Sequence, residues 1–167
     1  MKQIGLLSDT HGYLHPKVFE FFKNCDEVWH AGDAGNIEIL DQLQDFRTLR
    51  AVYGNIDGQD VRISHPEYQL FDCEDIRVLM IHIGGYPKKY TSGAKQLIDM
   101  HRPGLFITGH SHILKVLYDS KYELLHINPG AAGKQGLHKK ITFVRFTIDR
   151  KEIKDLEIFE TGRGLWH

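Results

Sequence analysis

The rhythm of the first third of this chain restricts its fold more than any other feature. Short apolar runs at Ile4-Gly5-Leu6-Leu7, at Glu27-Val28-Trp29-His30 and from about Thr48 to Tyr53 alternate with stretches whose apolar residues recur at helical spacing. Pro16 suits the first turn of a helix, and Val18, Phe19, Phe21 and Phe22 give it an apolar stripe through about Asn24. Asn36 is a natural N-cap for a second helix carrying Ile37, Leu40 and Leu43. Strand, helix, strand, helix, strand in that order predicts parallel pairing with crossover helices.

The rhythm then changes. Glu67–Cys73 and Ile76–His82, joined by Glu74-Asp75, read as a hairpin. A helix from about Ser92 to His101 is stopped by Pro103, and a short buried strand comes next at Leu105–Thr108. The last third is strand-rich, at Leu114–Tyr118, Glu123–Ile127, Ile141–Ile148 and Ile153–Phe159. No repeat or linker divides the chain, so one domain over residues 1–167 is expected, with two sheets face to face and helices outside. A chain of 167 residues is long enough for this, burying roughly 70% of its unfolded surface.

The residues just past the strand ends carry the chemistry. Five strands end in Asp9-Thr10-His11, Gly32-Asp33, Gly54-Asn55, His82 and Gly109-His110-Ser111-His112. In sheets of this kind ligands gather beyond the carboxyl ends of the parallel strands. Taken singly, each block has a structural explanation: Asp9 as a turn cap, His82 as a core histidine, the Gly109 segment as a polar turn. Five such endings together are hard to explain that way. If the strands are neighbours, Asp9, His11, Asp33, Asn55, His82, His110 and His112 share one rim. Carboxylate, amide oxygen and imidazole without thiolate suit borderline divalent ions rather than Ca²⁺. Seven ligands exceed one tetrahedral ion and match two ions sharing a carboxylate, with Asp33 as the bridge.

This ordered set resembles the calcineurin-like metallophosphoesterase superfamily. The single-domain length and Ile127-Asn128-Pro129-Gly130 are similar to its small bacterial and archaeal phosphodiesterases of the YfcE type. The resemblance implies a four-layer αββα sandwich of two mixed β-sheets flanked by helices. It puts one ion with Asp9, His11, Asp33 and His112, and the other with Asp33, Asn55, His82 and His110. It also places Asn55 against the phosphate. The ions are expected to be Mn²⁺, with Fe²⁺, Zn²⁺, Ni²⁺ and Mg²⁺ as alternatives. The reaction expected is in-line attack of a hydroxide bridging the two ions on a phosphate ester, a diester by resemblance. The alternative is a non-catalytic protein-interaction scaffold of the same fold, like the small retromer subunit.

Three positions depart from the superfamily pattern. Ile56 stands where many members carry a histidine thought to assist the leaving group, and it cannot transfer a proton. His82-Ile83-Gly84-Gly85 replaces the usual His-Gly-His. Ala131 replaces the serine that commonly comes after Asn-Pro-Gly. The rim around Ile56, Gly84 and Ala131 is therefore expected to set substrate choice.

His30 and Asp57 are candidates to support the ligands from behind. His15, His65, His101, His126, His138 and His167 are read as surface or locally hydrogen-bonded. Lys88 and Lys89 come soon enough after a ligand to steer a phosphate, and Trp166 is a candidate contact for a neighbouring subunit in a homo-oligomer. A net charge of −1 gives no broad reason to expect nucleic acid as partner, and no apolar run reaches the length of a membrane helix. Cys25 and Cys73 lack metal-knuckle spacing and read as reduced packing residues, so a cytoplasmic location is expected.

Overall fold

The computed structural model describes residues 1–163. Trp166 and His167 lie outside the described residues. One sheet holds β1 (Lys2–Leu7), β2 (Glu27–His30), β3 (Thr48–Ala51), β11 (Lys140–Asp149) and β12 (Glu152–Gly162), in the order β12-β11-β1-β2-β3. The other holds β4 (Tyr68–Cys73), β5 (Ile76–Ile81), β8 (Leu105–Ile107), β9 (Leu114–Asp119) and β10 (Leu124–Pro129), in the order β4-β5-β8-β10-β9. Both are mixed. β1, β2 and β3 pair in parallel at one side of the first sheet, with β3 at its edge and the antiparallel β11 and β12 beyond β1; β5, β8 and β10 pair in parallel at the centre of the second, between the antiparallel β4 and β9.

Period-two alternation sorts the side chains into layers. From β1, Ile4 and Leu6 face the second sheet, while Leu7 faces the helices. From β5, Val78 and Met80 point inward, and Leu79 and Ile81 outward. The inter-sheet core also takes Trp29, Ile107, Ile127 and Phe146. α1 (Lys17–Phe21) and α2 (Ile37–Phe46) cover the first sheet with Val18, Leu40 and Leu43, and α4 (Ser92–His101) covers the second with Ala94 and Ile98. This is the four-layer αββα sandwich.

Asn36 caps α2 as expected, its Oδ1 accepting from the Ile39 amide at 3.1 Å. α1 is shorter than its stripe suggests: it ends at Phe21, and the chain turns so that Phe22 packs on Gly5, where a Cβ would lie 2.7 Å from the ring. Three elements have no clear signal in the sequence: α3 (Gln59–Ser64) and the two-residue strands β6 (Gly85–Tyr86) and β7 (Lys89–Tyr90). All are too short for a period to be legible.

Candidate metal centre

The five ligand blocks are the loops after β1, β2, β3, β5 and β8, every parallel strand except β10. The loops stay in register past the strands. The Asp9 amide donates to the Gly32 carbonyl at 3.0 Å, that of His11 to Asp33 at 3.1 Å, and that of Gly109 to His82 at 3.0 Å. Five of the seven candidate ligands then adopt left-handed backbone: Asp9, His11, Asp33, His110 and His112, with φ between 46° and 70°. Asp and His tolerate this region better than most residues, but it still costs of order 1 kcal/mol each. Such strain collects where a fold aims side chains at a ligand.

All seven residues come together. Asp9, His11 and His112 form one cluster of possible donor atoms, and Asp33, His82 and His110 another. Asp9 Oδ1 lies 3.2 Å from His112 Nε2 and 3.7 Å from His11 Nε2. Asp33 Oδ2 lies 3.0 Å from His82 Nε2 and 3.8 Å from His11 Nε2, between the clusters. Asn55 Oδ1 is 3.1 Å from His110 Nδ1 on the exposed side.

The remaining atoms of these side chains are already committed. Asp9 Oδ2 accepts from Ser8 Oγ at 2.7 Å and from the His110 amide at 3.0 Å, so Asp9 caps no helix. Asp33 Oδ1 accepts from the Ile56 amide at 3.0 Å. His82 Nδ1 donates to the Ala31 carbonyl at 2.7 Å, as a core histidine would. Its Nε2, with His11 Nε2 and Asp9 Oδ1, is buried and has no hydrogen-bond partner among the described residues. A buried polar atom without a partner carries its full desolvation cost, about 1–3 kcal/mol. Three of them facing one space fit a cation held by nitrogen and oxygen donors. The titration of the cluster agrees. Burial opposes ionisation of Asp9, but the neighbouring His11 and His112 imidazoles, His82 and the Ser8 hydroxyl outweigh it and hold the carboxyl well below its usual range. The Asp9 carboxylate raises His11, while at His82 burial is overcome by Asp33 and Asp9. A field that draws protons onto imidazoles draws a dication as well.

Behind the donors, His30 and Asp57 act as struts. His30 Nε2 donates to Thr10 Oγ1 at 3.0 Å, its Nδ1 accepts from the Gly32 amide at 3.1 Å, and burial pushes its pKa down to about 4. It is a neutral clamp between two ligand loops. Asp57 accepts four backbone amides: Asp33 at 3.0 Å, Ala34 at 3.3 Å, Gly35 at 2.9 Å and Gly54 at 2.8 Å.

Two further supports have little or no signal in the sequence. His138 Nε2 donates to the Gly133 carbonyl at 2.8 Å, so its Nδ1 is free to accept from His112 Nδ1 at 3.1 Å. That leaves the His112 Nε2 lone pair facing Asp9. Asn128 Nδ2 donates to the Gly109 carbonyl at 2.9 Å and to Ser111 Oγ at 3.0 Å, tying down the loop that carries His110 and His112. Only a single Asn-Pro-Gly signature hints at the second, and nothing local hints at the first.

Gly12 and Gly32 turn the chain beside His11 and Asp33 with φ of 80° and 102°, whereas Gly54 and Gly109 serve space. A Cβ on Gly54 would sit 2.0 Å from Asp33 Oδ1, and one on Gly109 2.2 Å from Ser8 Oγ, although neither residue has positive φ. Of the three expected rim positions, only Ile56 is exposed; Gly84 and Ala131 are buried. Gly84 packs against Phe106 and Thr108, and the Ala131 carbonyl accepts from the Thr142 amide.

A profile of the calcineurin-like phosphoesterase superfamily domain matches residues 1–151. The chain belongs to the calcineurin-like phosphoesterase superfamily. Within it, the chain is 31% identical over 166 residues to the "Probable metallophosphoesterase" of Methanothermobacter thermautotrophicus, covering 95% of this chain and 92% of that one. A second "Probable metallophosphoesterase", from Methanocaldococcus jannaschii, is 33% identical over 134 residues, 77% of this chain and 67% of the relative. The fold is shared with an archaeal phosphodiesterase (TM-score 0.73, 22% identity, 94% of this chain and 99% of that one). It is shared equally with Vps29 of Chaetomium thermophilum (TM-score 0.74, 12% identity, 96% and 97% of the two chains).

Proposed function

We propose that this metallophosphoesterase is a phosphodiesterase using two divalent ions, with Asp9, His11, Asp33 and His112 holding one and Asp33, Asn55, His82 and His110 the other. The observation that carries this reading is the trio of buried, unpartnered donor atoms on Asp9, His11 and His82. When bound, such an ion pair supplies Lewis-acid activation of water and neutralises charge in an in-line displacement at phosphorus. Asp33 Oδ2 lies within reach of both histidine clusters, which suits a bridging role. Asn55 is exposed at the rim, and its amide is placed to hold a phosphoryl oxygen beside His110. Ile56 donates no side-chain proton, so leaving-group protonation falls to water, to another side chain or to nothing. Its contribution is the main-chain amide that holds Asp33 Oδ1.

Mn²⁺ is the first ion to test. Protein purified without chelator is expected to retain stoichiometric metal and to hydrolyse bis(p-nitrophenyl) phosphate with added Mn²⁺. Asp33→Ala is expected to lose both ions and the activity; full metal content in that variant would sink the bridging role. The fold shared with Vps29 keeps a scaffold as the second reading. Absence of both bound metal and turnover in the wild type would select it.

A further inference from the structure

Beside His110 a cleft of about 320 Å³ opens on the outer face of the second sheet, and its walls include Ile83, Tyr86, Ile113 and Lys115. Ile83 is 41% exposed and Ile113 61% exposed. Each stands directly after a candidate ligand, His82 or His112, so one peptide bond sets its position relative to the metal centre. Exposed aliphatics are ordinary when scattered singly; two on the walls of one cleft that ends at a metal ligand are informative.

The polar groups at the floor offer a ligand little. Asn128 spends both donor hydrogens on Gly109 and Ser111, and its Oδ1 accepts from the Gly130 amide at 3.0 Å. His126 is buried, and its Nδ1 is engaged with the Phe106 carbonyl at 3.1 Å. The lysine of the wall, Lys115, sits with Nζ 3.7 Å above the Tyr86 ring. The cleft therefore presents aliphatic and aromatic surface, with its charge held at the wall. On the other side of Ile83, a smaller cleft of about 220 Å³ beside Asn55 carries the charged side chains Arg62 and Glu67. Lys88 and Lys89 line neither cleft.

We infer that the cleft between Ile83 and Ile113 is a subsite for an apolar, aromatic substituent of the phosphate ester, with Ile83 as the ridge that separates it from the cleft bearing Arg62 and Glu67. The size lies at the lower end of small-ligand sites, enough for one substituent rather than a polymer. This rests on the phosphoesterase reading, and the probes are chosen to separate the two.

Phenylphosphonate and methylphosphonate share an anionic head and differ only in the group that would enter the cleft. Against bis(p-nitrophenyl) phosphate turnover by the Mn²⁺-loaded protein, phenylphosphonate is expected to inhibit roughly ten- to fiftyfold more tightly, from the apolar area one ring buries. The double variant Ile83→Ser, Ile113→Ser is expected to shrink that ratio to about threefold or less; both side chains are exposed, so the core is untouched. Equal inhibition by the two phosphonates in an active wild type, or an unchanged ratio in a metal-loaded double variant, overturns the subsite alone. If the wild type neither turns over the diester nor binds either phosphonate by calorimetry, the phosphoesterase reading fails and the subsite with it.

Discussion

At the scale of single residues, the telling contrast is between His82 and His126. Both are buried histidines of the second sheet, and both engage a main-chain carbonyl through Nδ1. Only His82 has its second nitrogen turned to carboxylates, and the difference appears in their titration. Burial pushes His126 down to about 4, whereas Asp33 and Asp9 raise His82. A histidine whose folded pKa lies below its unfolded value stabilises the fold above about pH 6.5 and loses that contribution as pH falls toward 4. Over that window the loss is roughly 3 kcal/mol. His126→Phe is expected to flatten the fall in urea midpoint between pH 6.5 and 4.5, and an unchanged slope would refute this origin.

His138 belongs at the same scale. It fixes which nitrogen of His112 carries the proton, and such partners commonly govern metal affinity by about 10- to 100-fold. His138→Phe is expected to weaken Mn²⁺ binding, measured by calorimetry, within that range. A variant that binds Mn²⁺ as well as the wild type would leave His138 with a merely local role.

At the scale of elements, the loops after β1, β2 and β8 are held by neighbouring loops as well as by their own strands. Asp57, after β3, organises the loop after β2 through three of its four amide contacts. Bonds to a charged acceptor are worth about 1.5–3 kcal/mol each, and four amides, three of them in buried bonds, would lose theirs together. Asp57→Ala is therefore expected to destabilise the protein by about 3–5 kcal/mol in urea unfolding, with metal binding lost alongside. A change under about 1 kcal/mol would mean that water takes over these amides. Gly109→Ala tests the same interlocking from the other side. Its Cβ would crowd Ser8 Oγ and Asp9 Oδ2, so reduced metal content is expected in a protein that still folds.

At the scale of the whole molecule, the proposed ions join the two sheets. The first sheet supplies Asp9, His11, Asp33 and Asn55, and the second supplies His82, His110 and His112. Each ligand set draws on both. Loading with Mn²⁺ at 100 times its dissociation constant should stabilise the fold by about 2.7 kcal/mol per site. For a chain of this size each occupied site raises the melting temperature by about 5–10 °C. Scanning calorimetry with and without chelator checks it, and coincident transitions would contradict a centre that spans the sheets.

The sequence by itself determined the parallel cores, the two-sheet layering and the loops in which donors stand. Apolar periodicity and strand-end chemistry are local properties, written in consecutive residues such as Ile4 to His11. Tertiary structure alone decided what depends on residues far apart in the chain. Asn128 reaches Gly109, His138 reaches His112, and Gly54 leaves room for Asp33, none of which a pattern of neighbours encodes. Which side chains stand open beside the candidate ligands was decided in the same way. Ala131 stands out as a departure from a motif, yet packing buries it; Gly84 is buried but lines the cleft beside His110, and Ile83 and Ile113, each directly after a candidate ligand, are left in solvent. Side-chain type decides which residues can bind a metal or an apolar group. Burial and geometry, which belong to the folded chain, decide which of them do.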